Sequence, residues 1–144
     1  MAGSVLEVAA GSGDHALAFS TALETIKWTP SDVSDQALAS LNAWRTQSAP
    51  NLQPARRLDA QAASTWPDDQ FDAVYCANML HISPWAAARG LMELAAKVLK
   101  RPGGLLALYG PYLEADIETA PSNLAFDADL KERNPDWGLR DREA

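Results

Sequence analysis

Val5-Leu6-Glu7-Val8-Ala9-Ala10-Gly11-Ser12-Gly13-Asp14-His15-Ala16 is the stretch that decides the fold. An apolar, β-type run reaches a carboxylate, passes through a turn of small residues and opens into a helical segment. A strand, a tight turn and a helix in that order is how an open α/β sheet holds a ligand at the carboxyl end of its first strand. Gly11 and Gly13 have no Cβ, so the turn can be tight and a ligand can come close to the backbone. The unpaired amides that begin the helix then point at that ligand.

Two cofactor chemistries compete for such a loop. Gly11-x-Gly13-x-x-Ala16 satisfies the dinucleotide fingerprint formally, and Asp32 lies roughly 20 residues on, where that fingerprint wants a ribose acid. Glu7 argues for the other. It precedes the first glycine by four residues, and no Lys or Arg occurs between Met1 and Glu24. A pyrophosphate placed there would meet an uncompensated carboxylate at close range in a partly dry pocket, which is strongly unfavourable. S-adenosylmethionine (SAM) brings an ammonium, a sulfonium and no phosphate, so the acid favours it over NAD. A strand end with an incidental acid and a glycine turn is the third reading of the same residues.

The chain has 144 residues, enough for one domain with a real core. Its 47% hydrophobic and 22% charged fractions are ordinary for a globular protein. No apolar run approaches the ~20 residues of a membrane span, and no secretory leader is apparent. Cys76 is alone and sits in an apolar, strand-like segment, so no disulfide framework is available and a reduced, cytoplasmic setting is expected. A net charge of −7 argues against a broad nucleic-acid face. Two distant histidines and one cysteine make no metal site.

Strand and helix signals alternate, which predicts a Rossmann-like, doubly wound α/β fold with a mostly parallel sheet. A first strand over residues 4–9 is followed by a helix over 14–24. A short second strand over 26–29 is closed by Pro30. Ser34 caps a second helix with Asp35 in its first turn, and Ala37, Leu38, Leu41 and Trp44 line one of its faces. Residues 48–54 form a loop, and a weak third strand over 55–58 ends at Asp59. The fourth strand covers 71–77 after a Trp66-Pro67-Asp68-Asp69 turn. Ser83-Pro84 starts a third helix, whose buried stripe is Trp85, Ala88, Leu91, Met92, Ala95, Val98 and Leu99. After Pro102-Gly103-Gly104, residues 105–109 read as a fully apolar fifth strand.

Residues 110–144 show no strand-like run, with a short helix over 127–133. A long segment with so little regular structure is usually functional or disordered. The expected organisation is a single domain: a cofactor-binding core over 1–110 and an irregular segment over 111–144 that serves as a substrate-site lid. Both ends of the sequence are abrupt.

Over nearly its whole length the sequence resembles class I SAM-dependent methyltransferases. The resemblance rests on residues 7–13, on Asp32, on Asp59-Ala60, on Asn78-Met79-Leu80-His81 and on Leu99-Lys100-Arg101-Pro102-Gly103-Gly104, in that order. More narrowly it resembles the domain-of-unknown-function 938 family, which includes methyltransferase-like protein 26. That likeness is carried by Trp28-Thr29-Pro30-Ser31-Asp32, by residues 78–85 (NMLHISPW), by Leu108-Tyr109-Gly110-Pro111-Tyr112, and by residues 122–127 and 134–141. Where the methyltransferase loop often carries glycine, this chain has Ala9. The resemblance further implies a helix before the first strand and an antiparallel strand pair after the fifth. Neither is seen, so the chain reads as a central portion of the fold, truncated at both ends, with its fifth strand at an open edge.

The resemblance implies roles residue by residue. Glu7, Ala9, Gly11 and Gly13 would meet the methionine end of SAM. Asp32 would accept from the ribose hydroxyls, or else serve as a helix cap or a turn acid. Asp59 with Ala60 would border the adenine, or else make a turn, and Asn78 would line the floor of the site, or else form a turn. His81 is the candidate base if an acceptor must lose a proton, or else bonds a backbone group at the helix start. Tyr109, Tyr112, Asn123, Trp137 and Arg140 would line an acceptor pocket, or else pack a lid. The implied function is methyl transfer from SAM to the oxygen or nitrogen of a small molecule. A non-catalytic SAM-binding or scaffold protein is the alternative, and an NAD-dependent oxidoreductase the third.

Overall fold

A computed structural model describes residues 2–47 and 50–144. Its sheet is built from β1 (Gly3–Val8), β2 (Ile26–Asp32), β3 (Arg56–Arg57), β4 (Ala73–Ala77) and β5 (Leu105–Tyr109), all parallel, in the order β3-β2-β1-β4-β5. The chain works outward from β1 to β3, then returns to the far side of β1. The carboxyl ends of β1 and β4 therefore flank the point where the winding reverses, which is where such sheets bind ligands. The doubly wound α/β architecture is the one the alternating pattern predicts.

Side chains alternate across β1, and each face has its own partner. Leu6 and Val8 pack with Val74 and Cys76 of β4 against α3 (Trp85–Val98). Val5 joins a second cluster on the opposite face, where Ala16 of α1 (Asp14–Ala22) and Leu41 of α2 (Asp35–Arg45) meet Trp28. Ser34 caps α2, its Oγ accepting from Ala37 N at 3.4 Å. Cys76 is buried, and that burial pushes its thiol up to about 12.

Several expectations are corrected. Pro30 does not end β2, which continues to Asp32. Trp28 and Asp32 turn their polar groups towards β3, through Trp28 with Asn51 and Gln53 and through Asp32 with Leu58. Pro30 shares their parity, so its missing N–H falls in the gap between these contacts, where no ladder bond is lost. Trp85 and Met92 are 43% and 45% exposed, whereas Ala87, Gly90 and Leu94 are buried; the helical stripe is rotated towards the residues that face the sheet. β5 is an edge strand, with Leu105 60% and Tyr109 64% exposed, so its apolar run is not a buried one. Of the expected loop over 48–54, residues 48 and 49 lie outside the described residues.

The C-terminal part is more regular than its punctuation suggests. α4 spans Pro121–Arg133, six residues earlier in its start than expected, because Pro121 occupies the first helical turn, where a missing N–H costs nothing. Two short strands, β6 (Tyr112–Leu113) and β7 (Arg140–Asp141), pair in parallel. Among the described residues no helix is long and apolar enough to cross a membrane.

Candidate functional site

The turn after β1 is held in shape from three sides. Ala9, Gly11 and Gly13 all take positive φ, at 57°, 59° and 97°. A Cβ on Gly13 would lie 2.9 Å from side-chain carbons of Leu41 and Trp44, so glycine is required there for both conformation and space. Around Gly11 there is nothing within 4 Å of such a Cβ, which leaves the backbone open to a ligand. The Ser12 carbonyl accepts from Ser40 Oγ at 2.7 Å and from Trp44 Nε1 at 3.1 Å. Gly11 N donates to Asp32 Oδ2 at 2.9 Å, and Ala10 N donates to Ser31 O at 2.9 Å.

Glu7 lies beneath this turn, 2% exposed. Its Oε2 accepts from Trp28 Nε1 at 2.7 Å, and its main-chain carbonyl accepts from Ser31 Oγ at 2.6 Å. Around it stand Trp28, Phe19, Tyr75 and His15, with Phe19 stacked on Trp28 at 5.2 Å and Tyr75 OH 3.3 Å from His15 Nδ1. Burial in this aromatic surround raises the Glu7 carboxyl from 4.5 to about 7, against the lowering effect of the Trp28 bond and with the Asp32 charge adding to the rise. The acid is thus only partly ionised at neutral pH in the free protein. A cation beside it would favour the charged form.

Asp32 does not cap α2; that is Ser34's part. Its carboxylate ties the glycine turn to the entry of α2, Oδ1 accepting from Ser34 N at 3.0 Å while Oδ2 accepts from Gly11 N. A carboxylate has about four acceptor sites, so two remain for ligand hydroxyls. Asp59 Oδ1 accepts from Gln61 N at 2.8 Å, and its main chain is fastened by Thr65 and Trp66. Asn78 takes φ 55°, a left-handed conformation that Asn tolerates, and donates its N–H to Tyr109 O at 2.8 Å, joining the ends of β4 and β5.

Three adjoining depressions follow these residues along the carboxyl ends of the strands. One of about 270 Å³ borders Glu7, Gly11, Asp14, His15 and Asn78. The next, about 210 Å³, shares Ala9 and Ile82 with it and reaches Asp32, Asp59, Ala60 and Met79. A third of about 350 Å³ lies outside Gly11 and Asp32, against α2. Four carboxylates border this trough, Glu7, Asp14, Asp32 and Asp59, and among its described lining residues there is no Lys or Arg. The structure therefore brings Glu7, Ala9, Gly11, Asp32, Asp59, Ala60 and Asn78 together. Gly13 stands behind, against α2.

The remaining sequence candidates do not converge. His81 is buried outside the trough's lining, its ring 5.6 Å from Phe126 and its carbonyl accepting from Gly138 N at 3.0 Å. Burial, then the Arg140 guanidinium, holds its imidazole below the usual histidine range. Arg140 is committed to main-chain carbonyls, and Trp137 lies under Arg133 at 5.5 Å. Tyr112 and Asn123 share a separate cleft of about 410 Å³. Tyr109 projects from the sheet edge. Asp14, Met79 and Ile82, which border the trough, and Trp28, which holds Glu7, are among the residues that sequence reasoning did not assign to the site. Trp28 carries a signal only in hindsight, because a buried indole N–H needs an acceptor.

Among the described residues no group of three or more His, Cys, Asp and Glu side chains is placed to hold a metal ion. Comparison with solved structures finds the same fold in other proteins. The YcgJ protein of Bacillus subtilis superposes with a TM-score of 0.68 at 23% identity, over 99% of this chain and 57% of that one. PigF, solved with SAH, gives 0.81 at 16%, over 97% and 41%. An O-methyltransferase family protein from Burkholderia thailandensis gives 0.78 at 18%, over 97% and 42%. The chain thus spans about half the length of these structures or less. The sequence profile of one family, described as "Protein of unknown function (DUF938)", matches residues 1–144, and the chain belongs to that family.

Proposed function

We propose that this chain carries the cofactor site of a SAM-dependent methyltransferase whose acceptor is an oxygen or nitrogen of a small molecule. One observation carries the reading: a trough at the sheet's switch point bordered by four carboxylates and, among the described residues, by no basic side chain. A dinucleotide's pyrophosphate would be repelled there, whereas a sulfonium and an ammonium would be attracted. The SAH bound by PigF, a protein of the same fold, supports the same choice.

The residues suit the parts of that cofactor. Glu7, held by Trp28, supplies negative potential at the methionine end. The free acceptor sites of Asp32 suit a ribose diol, and Ala60, Met79 and Ile82 offer apolar surface beside Asp59 for the adenine. SAM, when bound, supplies an activated methyl group on a good leaving group. The protein's task is then alignment and exclusion of water. The ends of β4 and β5, where Asn78 meets Tyr109, are the proposed approach for the acceptor, with Tyr112 and Asn123 further along the same side. His81 would need the C-terminal segment to open before it could act as a base.

Calorimetric titration tests the reading. SAH is expected to bind and NAD is not; tight NAD binding with no response to SAH would overturn it. The binding-only alternative is favoured by one fact, that the Tyr112–Asn123 cleft shares no lining residue with the trough. Methyl release from SAM over a panel of small hydroxyl and amine compounds separates the two.

A further inference from the structure

Several contacts of the C-terminal segment converge on one short turn, the 3₁₀ turn Leu80–Ile82 between β4 and α3. Carbonyls in such a turn lack helical partners and must find them elsewhere. Here they find them far along the chain. Arg140 Nε donates to Leu80 O at 3.1 Å, and its Nη2 donates to Ser83 O at 2.7 Å and to Asp136 O at 2.8 Å. Gly138 N takes the carbonyl between, that of His81, at 3.0 Å. The guanidinium also lies 5.5 Å from the centre of the Trp85 ring, and Phe126 of α4 closes on His81.

The opposite side of the same turn faces the trough. Met79, Ile82 and Ser83 line the depression that also holds Asp32 and Asp59. One short element therefore has two neighbours, the C-terminal segment and the nucleoside end of the site. A planar guanidinium with donors at fixed angles can hold two carbonyls of that turn in a single geometry; an ammonium on a flexible stem cannot.

We propose that Arg140 is a positioning residue for the nucleoside end of the trough, so that filling the trough and closing the C-terminal clasp are linked equilibria. The proposal takes its ligand, SAH, from the cofactor reading above. Linkage is reciprocal: if the clasp favours the ligand, the ligand must tighten the clasp by the same factor. Couplings of this kind are commonly 5- to 150-fold.

Hydrogen exchange at Gly138 in the wild-type protein, with and without saturating SAH, reads the coupling where Gly138 exchanges faster than the core amide of Leu6. Exchange then runs through local opening and not through the global unfolding that any ligand of the folded state would slow. At least fivefold slower exchange with SAH is expected. Arg140→Ala is expected to weaken SAH binding about tenfold by calorimetry, and Arg140→Lys to restore only part of it. The proposal is overturned if SAH binds without slowing Gly138, or if folded Arg140→Ala binds SAH as wild type does. Should that variant fail to fold, the wild-type exchange measurement still decides. Failure of the wild type to bind SAH at all is a different outcome, and it refutes the cofactor reading together with the coupling built on it.

Discussion

The glycine turn after β1 and the clasp after β5 hold neighbouring parts of one site by opposite means. In the turn, backbone amides meet a fixed acid: Gly11 N and Ser34 N both reach Asp32, all within the first 34 residues. In the clasp, backbone carbonyls meet a fixed cation: Leu80 O and Ser83 O reach Arg140, across 60 and 57 residues. The first reaches across 2 and 21 residues, the second across 57 and 60. Each uses a charged group to satisfy main-chain atoms that a tight turn leaves unpaired. The difference lies in what the charge does next. Asp32 keeps acceptor sites for a ligand, whereas three of the five Arg140 N–H donors are taken up by main-chain carbonyls.

Removing the acid should therefore cost more than any other single change. Asp32→Ala leaves two amides without partners and deletes the proposed ribose acceptor, so SAH affinity is expected to fall on the order of 100-fold. Calorimetry checks this, and a change under threefold would break the contrast, since Asp32 would then be as structural as Arg140. Gly90→Ala strikes the wall between the two regions. Its Cβ would lie 2.1 Å from the Ala60 carbonyl, forcing α3 away from the loop that carries Asp59. A loss of about 3 kcal/mol in urea unfolding is expected; an unchanged midpoint would show that α3 does not press on this loop.

Glu7→Gln sharpens the same contrast through pH. Burial lets the folded protein hold the Glu7 proton up to about pH 7, against an ordinary value of 4.5. Between those values the folded state binds more proton than the unfolded one, so this group's contribution to stability falls as pH rises through the window. The glutamine variant lacks that slope. It should match wild type near pH 4.5 and exceed it by about 3 kcal/mol at pH 8. Equal stability at pH 8 would mean that the carboxylate is better solvated than its aromatic surround indicates.

Legibility in the sequence follows the same division. Glu7, Gly11 and Asp32 were readable because strand ends and tight turns fix their positions locally. Asp59 and Asn78 were readable for the same reason, lying two residues past β3 and one past β4. What the sequence hid is set by tertiary partners. Pro30 looked like a strand end because the gap in β2's pairing with β3 exists only once both strands are placed. Trp85 and Met92 looked buried because the side of α3 that meets the sheet is chosen by Gly90 against Ala60, not by apolar count. Arg140 looked free to bind a ligand because its carbonyl partners lie 57–60 residues away. His81 keeps its imidazole near Asn78, both side chains coming within 3.8 Å of a Cβ built on Gly110, but it is covered by Phe126 and the C-terminal segment.

The smallest expected effect comes from Ala9, where this chain departs from the glycine common in methyltransferase loops. At φ 57° an alanine sits in the left-handed region at a cost of roughly 1–2 kcal/mol. Ala9→Gly removes that strain but gives the unfolded chain more freedom, which offsets roughly 0.4–1 kcal/mol of the gain. The net expectation is a stabilisation of about 0.5 kcal/mol, or roughly 1–2 °C in Tm for a domain of this size. The two sides of the comparison respond differently. The glycine variant relaxes the turn that Asp32 anchors, so SAH affinity should change by no more than about twofold while Gly138 exchange stays put. If Ala9→Gly destabilises the protein instead, the Ala9 Cβ contributes packing worth more than its backbone strain, and the turn is held from its apolar side as firmly as from Asp32.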